Sequence, residues 1–122
     1  MHTRNLLIQH ELKDGNPVQF RVRGHSMQPR ALKGDCVIFE PVIYPSTLMA
    51  KDIVFCNPNG GERFCAHMIS EVQEPPVAIS HQHHRELCRW LEFTIGTQSG
   101  HRVGNCYGQN IYGRLVEVLS PS

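Results

Sequence analysis

The sequence predicts a mainly β domain with one short N-terminal helix, occupying residues 1–122 as a single unit. Three observations support this fold class. Short segments of alternating or continuous apolar residues recur along the chain, clusters of Gly, Pro, Asn and Asp separate them, and only the first segment has helical spacing. The 122 residues, of which 40% are hydrophobic, suffice for one core and are too few for two.

The first segment, residues 3–13, is predicted to form a short amphipathic helix. Leu6, Leu7 and Leu12 lie among polar residues there. Thr3 can cap its start, and an Asp-Gly pair follows its end.

Six later segments are predicted strands, because they show period-two alternation or short apolar runs between turn signals. The run NPNGGE at 57–62 predicts a hairpin turn between the third and fourth of them. A Gly-rich polar loop is predicted at 98–110, with the sequence QSGHRVGNCYGQN. For residues 77–90 the sequence allows either a loop that leads into a strand or a short helix. The predicted strands are NPVQFRVRG at 16–24, CVIFEPV at 36–42, DIVFCN at 52–57, RFCAHMISEV at 63–72, LEFTIG at 91–96 and IYGRLVEVL at 111–119.

The net charge and the cysteine pattern indicate which kinds of partner and which cellular compartment to expect. The net charge of +1, without any long basic run, is unlike a surface for nucleic acid or anionic membrane, so no nucleic-acid partner is expected. No apolar run approaches the roughly 20 residues of a membrane span. The five cysteines include no C-x-x-C pair and no signal peptide precedes them, which predicts reduced thiols in a cytoplasmic chain.

The stretch GHSMQP at 24–29 presents Ser26 in a turn. A serine nucleophile needs a base within hydrogen-bond reach and backbone N–H donors for the developing oxyanion. Gly24 permits unusual dihedral angles before the serine, and Pro29 stiffens the exit. The N–H of Ser26 or Met27 would then face the reacting carbonyl oxygen. The simpler alternative is an ordinary turn serine.

Several side chains are candidates for the base. His67 lies in RFCAHMI, where alternation sets Cys65, His67 and Ile69 on one face of the strand. A histidine with apolar neighbours is either packed in the core or directed at a cleft. The other candidates are His25, His101 and Lys51.

Taken in order, four stretches resemble the S24/S26 serine peptidase superfamily, which includes type I signal peptidases and LexA-type self-cleaving repressors. That family combines a G-x-S-M-x-P box, a Gly-Asp turn, a second Gly-Asp before a strand, a strand carrying the base and a closing strand. The match runs from about residue 17 to 119. The stretches are VRGHSMQPRALKGDCVIF at 22–39, LMAKDIVFCN at 48–57, RFCAHMI at 63–69 and IYGRLVEVL at 111–119.

The resemblance implies a LexA/signal-peptidase-like β-fold and cleavage of a protein or peptide substrate without a cofactor. Ser26 would be the nucleophile and His67 the general base, as in the histidine-type signal peptidases of archaea and the endoplasmic reticulum. Lys51 stands where the family has the second glycine, so it is expected in a turn. With no span of its own, the chain would use soluble substrates or a membrane-associated partner. Residues expected to support the site are Gly24, Pro29, Gly34 and Asp35, the last as a turn aspartate bonding the backbone two residues on.

One departure from the family opens an alternative. The histidine-type enzymes carry an aspartate before the closing strand, whereas no acid lies between Glu92 and Glu117 here. Thr97 or Asn105 stands in its place, and Asn105 or a backbone carbonyl would have to orient the imidazole. The alternative is therefore a peptide- or protein-binding module of the same fold that has lost turnover.

A third hypothesis rests on the sequence HQHHRELC at 81–88. His84 and Cys88 are four residues apart and would share one face of a helix, and imidazole and thiolate suit Zn²⁺. His81 and His83 are close in sequence, but no second pair of ligands follows at standard spacing. A solvated polar loop is the simpler interpretation, and no metal is expected.

Overall fold

The fold is a seven-stranded antiparallel sheet with one α-helix, as seen in a computed structural model that describes residues 3–24, 27–58, 64–73, 91–97 and 102–119. The predicted fold class, mainly β with an N-terminal helix, is confirmed at this level. The helix α1 is Thr3–Lys13, and the strands are β1 Val18–Arg21, β2 Cys36–Pro41, β3 Ile53–Cys56, β4 Cys65–Val72, β5 Glu92–Gly96, β6 Arg102–Tyr107 and β7 Ile111–Leu119.

The strand order is β1-β2-β7-β3-β4-β5-β6, so β7 lies inside the sheet although it is last in the chain. It pairs with β2 on one side and with β3 on the other. The predicted hairpin between β3 and β4 is present as an antiparallel ladder from Ile53↔Met68 to Cys56↔Cys65. Its turn residues, 59–63, lie outside the described part of the chain.

Two groups of buried side chains occupy the two faces of the sheet, because successive residues of β3 point to opposite sides. We call them the helix-side cluster and the far-side cluster. The helix-side cluster comprises Ile8, Leu12, Val22, Met27, Ala31, Val37, Phe39, Ile53, Phe55 and Leu115. The far-side cluster comprises Leu48, Val54, Cys56, Ile69, Phe93, Ile95, Cys106 and Ile111.

The helix has the predicted bounds, but only one of its three leucines is buried on the sheet. Ile8 and Leu12, four residues apart, are buried on the sheet, whereas Leu6 and Leu7 are 53% and 60% exposed. The helix lies close to β7, and this contact determines which of its side chains are buried. A Cβ atom added at Gly113 would lie 2.8 Å from Leu12 Cδ1, so the absence of a side chain there is what admits Leu12.

The prediction of a loop at 98–110 is wrong for residues 102–107, which form β6. This strand pairs with β5 from Glu92↔Tyr107 to Gly96↔Arg102. The ladder supplies hydrogen-bond partners to a backbone whose side chains give no strand signal, and Cys106 is buried against the far-side cluster. Tertiary pairing therefore overrides local composition here.

The closing strand β7 contains a register shift that the alternation did not indicate. Ile38 pairs with Glu117 and Phe39 pairs with Leu115, so Val116 is an extra residue between them. As a result Val116 is 45% exposed although it is apolar.

Asp35 closes a tight turn after the serine loop. Its backbone N–H donates to Leu32 O at 3.0 Å, and its Oδ2 accepts from Leu32 N–H at 2.9 Å. The predicted turn role of Asp35 is present, but its carboxylate bonds backward by three residues rather than forward by two. Gly34 has φ of 97°, as the third position of a type II turn requires.

The same turn recurs before β3. Asp52 N–H donates to Met49 O at 3.2 Å, and Asp52 Oδ2 accepts from Met49 N–H at 3.0 Å. Lys51 occupies the position equivalent to Gly34 with φ of 78°. The expectation that Lys51 is a turn residue is confirmed, and it holds a backbone conformation that favours glycine.

Replacing Lys51 with glycine should therefore stabilise the protein by about 1 kcal/mol, because it removes the cost of a left-handed backbone for a residue with a Cβ. Gly34→Ala at the equivalent position should destabilise it by a similar amount. Urea unfolding of both variants beside the wild type measures the two effects. Equal stability of all three would contradict the assignment of strain to these turns.

Gly113→Ala should lower the free energy of unfolding by about 1–3 kcal/mol, as overpacking does in a close-packed interior. The new methyl group would meet Leu12 and also Glu40 O, which is 3.2 Å from an ideal Cβ. In a Leu12→Ala background the same substitution should cost less, because its main obstacle is gone. If the two substitutions have additive effects in this double-mutant cycle, the contact between position 113 and Leu12 is not what positions the helix on the sheet.

Candidate functional site

The segment that carries Ser26 runs between two anchored points of the chain. His25 and Ser26 themselves lie outside the described residues. Before them, Val22 exchanges two backbone hydrogen bonds with the Gly34-Asp35 turn, donating to Asp35 O at 2.8 Å and accepting from Gly34 N–H at 2.9 Å. The turn predicted to support the loop thus contacts its entry.

The exit of this loop is held by a buried side chain and a turn. Met27 is 3% exposed and belongs to the helix-side cluster. Its carbonyl accepts from Ala31 N–H at 3.0 Å, closing a turn that contains the exposed Pro29 after a cis Gln28–Pro29 peptide bond.

A cavity of about 220 Å³ adjoins this loop. Gly24 and Met27, which flank His25 and Ser26, line one part of it, and Cys65 and Ala66, which directly precede His67, line another. Four of the other lining residues are apolar or aromatic: Phe20, Val22, Phe55 and Phe64. The rest are Arg4, Asn5 and Arg23.

Two arginines give this cavity a positive charge, and none of the described residues that line it is acidic. The Arg4 guanidinium lies over the Phe20 ring, 5.2 Å from its centroid, and donates to Arg21 O at 2.8 Å. Partial burial lowers the pKa of Arg4, and the neighbouring charge of Arg23 lowers it further. The cavity is therefore suited to an apolar group that carries or adjoins a negative charge.

His67 lies in the middle of the β3–β4 ladder, opposite Val54. Because directly paired residues share a face of the sheet, its side chain lies on the side of the far-side cluster with Val54 and Ile69. Its neighbours Ala66 and Met68 pack against the helix-side cluster instead. The described structure thus brings the strand of His67 to the cavity, while the alternation turns the imidazole toward the other face.

The environment of His67 favours a neutral imidazole. The ring is half-buried, and burial lowers the pKa of His67 below its ordinary value. Its Nδ1 atom is buried and has no hydrogen-bond partner within the described part of the chain. A neutral ring with an unused nitrogen can accept a proton, whereas an imidazolium cannot.

The strand register does not bring Asn105 next to His67. Asn105 pairs with Thr94, which in turn pairs with Glu71, so it lies two strands away and several residues along the sheet. It also lies on the opposite face from Cys106 and the far-side cluster, whereas His67 lies on that cluster's face. Thr97, which follows the Met68↔Gly96 pair, is nearer in register.

Several residues of the other sequence-based hypotheses lie outside the described part of the chain. The zinc hypothesis concerns His81, His83, His84 and Cys88, which all lie outside the described residues, as does His101. Within 3–24, 27–58, 64–73, 91–97 and 102–119, no group of three or more His, Cys, Asp or Glu side chains is arranged to hold a metal ion. The one α-helix of those ranges is too short and polar to cross a bilayer.

Sequence reasoning missed the proximity of three cysteines. Cys56 and Cys65 are directly paired, with their Sγ atoms 3.7 Å apart, and Cys106 is also within hydrogen-bonding reach of Cys56. The NPNGGE turn was the available signal, since a hairpin closed there sets Cys56 opposite Cys65. Cys106 gave no signal, because β6 was not predicted.

The chain has no match among protein-family models, curated proteins or solved structures.

Replacing His67 with glutamine should flatten the loss of stability on acidification. Burial lowers the pKa of His67 in the folded protein, so below about pH 6.5 the unfolded chain binds a proton that the folded chain resists. Stability should therefore fall as the pH decreases from about 6.5 through the lower folded-state pKa. Urea unfolding of the wild type and the variant on both sides of that window measures the difference.

His10→Gln is the control for this comparison, because the His10 side chain is 69% exposed on the helix and its ion pair with Asp14, at 3.2 Å, is a surface pair that contributes little to stability. This variant should keep the pH dependence expected for the wild type. An unchanged pH profile in His67→Gln would mean that another group causes the acid sensitivity.

Proposed function

We propose that the protein is a serine peptidase of the S24/S26 type, with a LexA/signal-peptidase-like fold, in which Ser26 is the nucleophile and His67 the general base. One observation carries the proposal beyond the motifs. Residues flanking the Ser26 segment and the two residues directly before His67 line the same cavity. Two stretches about forty residues apart in sequence thus meet at one cleft, as a nucleophile and its base must.

The state of His67 supports the base role. A general base must be unprotonated at working pH, and burial lowers the pKa of this imidazole. Ala66, directly before His67, lines the cavity, whereas the imidazole lies on the far-side face of β4. A change of rotamer does not take the side chain of a paired strand residue through the sheet. The proposal therefore requires that β4 or the Ser26 segment rearranges on substrate binding, so that the ring and the serine hydroxyl meet.

The proposed reaction is acyl transfer to water. His67 takes the Ser26 hydroxyl proton as Oγ attacks the peptide carbonyl carbon, and the N–H groups of Ser26 and Met27 donate to the oxyanion. The intermediate collapses, the C–N bond breaks, and the departing amine takes the proton from His67. Water, activated by the same imidazole, then cleaves the acyl ester and restores Ser26.

The substrate in this proposal is a peptide in extended conformation. The aromatic cavity would receive an apolar side chain, and Arg4 and Arg23 would favour an acidic neighbour. β1 ends the described sheet on one side and leads directly into the Ser26 segment, so its outer edge is suited to pairing with a peptide strand.

A second candidate function, a peptide-binding module without turnover, is favoured by a specific observation. His67 pairs with Val54 on the face away from Met27, and Asn105 lies too far along the sheet to orient it. Within the described residues the buried Nδ1 atom of His67 has no hydrogen-bond partner, whereas in a triad such a partner fixes the tautomer of the imidazole.

Labelling with a fluorophosphonate, which phosphonylates activated serines, distinguishes the two functions. For the peptidase, the wild type should be labelled at Ser26, and the rate should rise with pH through a midpoint below about 6.5 because burial lowers the pKa of His67. Ser26→Ala should abolish labelling. His67→Ala should slow it by about 10²- to 10⁴-fold, the usual contribution of a general base.

Ser70→Ala is the matched control, since Ser70 is an exposed serine on the strand of His67 and should leave labelling unchanged. Circular dichroism of each variant establishes that it is folded. A folded wild type that resists the reagent up to about pH 9, where imidazole is fully neutral, would exclude the peptidase and favour the binding module.

A further inference from the structure

We propose that Cys56 and Cys65 form a dithiol site that a small disulfide such as oxidised glutathione converts into a cross-strand disulfide. This inference is independent of the proposed peptidase activity. It rests on the register of the β3–β4 hairpin, on the distance between the two sulfur atoms, and on the unequal exposure of the two side chains.

The backbone already holds the two cysteines at bonding separation. They are direct partners in the antiparallel ladder, in which paired Cα atoms lie about 4.5–5.5 Å apart. A disulfide needs Cα atoms at about 4.4–6.8 Å, so the strands need not move apart or together. The Sγ atoms are 3.7 Å apart, and rotation of the side chains can bring them to bonding distance.

Only one of the two thiols is open to a reagent. Cys65 is half-buried; it packs against the far-side cluster and also lines the cavity of about 220 Å³ beside the Ser26 segment. Cys56 is completely buried and within hydrogen-bonding reach of both Cys65 on β4 and Cys106 on β6. Attack on an external disulfide must therefore begin at Cys65, and Cys56 can act only on the Cys65 sulfur once that sulfur is part of a mixed disulfide.

The electrostatics assign the same two roles. A hydrogen bond from the Cys56 thiol lowers the pKa of Cys65, which favours the thiolate that attacks disulfides. Hydrogen bonds with Cys106 and Cys65, together with burial, raise the pKa of Cys56 well above its ordinary value. Arg4 and Arg23 line the same cavity and favour an anionic reagent, which makes oxidised glutathione a suitable probe.

The exchange has two balanced steps. The Cys65 thiolate attacks one sulfur of oxidised glutathione, a Cys65–glutathione bond forms, and one glutathione thiolate leaves. Cys56 then gives up its proton and attacks the Cys65 sulfur, forming the Cys56–Cys65 bond and releasing the second glutathione thiolate. The protein loses two electrons and two protons, and oxidised glutathione becomes two molecules of glutathione.

Peptide mapping of the full chain tests this directly. The folded protein is incubated with oxidised glutathione, free thiols are alkylated, and the protein is digested with trypsin. Cleavage after Lys51, Arg63 and Arg85 puts Cys56 in peptide 52–63 and Cys65 in peptide 64–85. These two peptides should be recovered mainly as one disulfide-linked species, which dithiothreitol separates, while Cys36 stays alkylated.

Cys56→Ser supplies the mechanistic test, because it leaves the attacking thiol and removes the resolving one. This variant should accumulate glutathione on Cys65, whereas Cys36→Ser, the matched control, should form the 56–65 link like the wild type. Three results for the wild type would overturn the proposal: both cysteines fully alkylated, a lasting glutathione adduct on Cys65, or a link from Cys56 to Cys106. If Cys56→Ser does not fold, the mapping of the wild type decides alone.

Discussion

The pairing of β7 with both β2 and β3 is the constraint on which the described sheet depends. It joins β1 and β2, which precede and follow the Ser26 segment, to the hairpin that carries His67. Gly113, the third residue of β7, also leaves room for Leu12 and so allows the helix to pack on the sheet. One strand thus connects the helix, the loop and the hairpin, although it is the last strand of the chain.

The alternation of side chains along β3 and β4 divides the molecule into two chemical environments. On the helix side, Phe55 and Ala66 border a positively charged aromatic cavity beside the Ser26 segment. On the far side, Cys56 lies among buried apolar residues with Cys106, and His67 extends from the same face. Cys65, next to the turn of the hairpin, packs against the far-side cluster and also lines the cavity, which is the placement that the proposed thiol exchange uses.

Most of the fold could be predicted because the strands carry period-two alternation and the turns carry strong residue preferences. The helix bounds, the predicted strands and the β3–β4 hairpin are all present. The predictions were wrong where contacts between distant parts of the chain, rather than the local residue pattern, determine the structure. β6 is a strand because β5 pairs with it, Val116 is exposed because the β2–β7 register shifts, and Leu6 is exposed because Gly113 receives Leu12 instead.

The sequence by itself determined the mainly β class, the helix and six of the seven described strands, and the turn roles of Asp35 and Lys51, because these follow from short-range patterns. Its ordered motifs also identified Ser26 and His67 as candidate nucleophile and base. Only the tertiary structure decided that Cys65 and Ala66 share a cavity with Gly24 and Met27, that Asn105 lies away from His67, and that three thiols meet. Those outcomes depend on strand order and register, which are set by packing between residues far apart in the chain and leave no local trace.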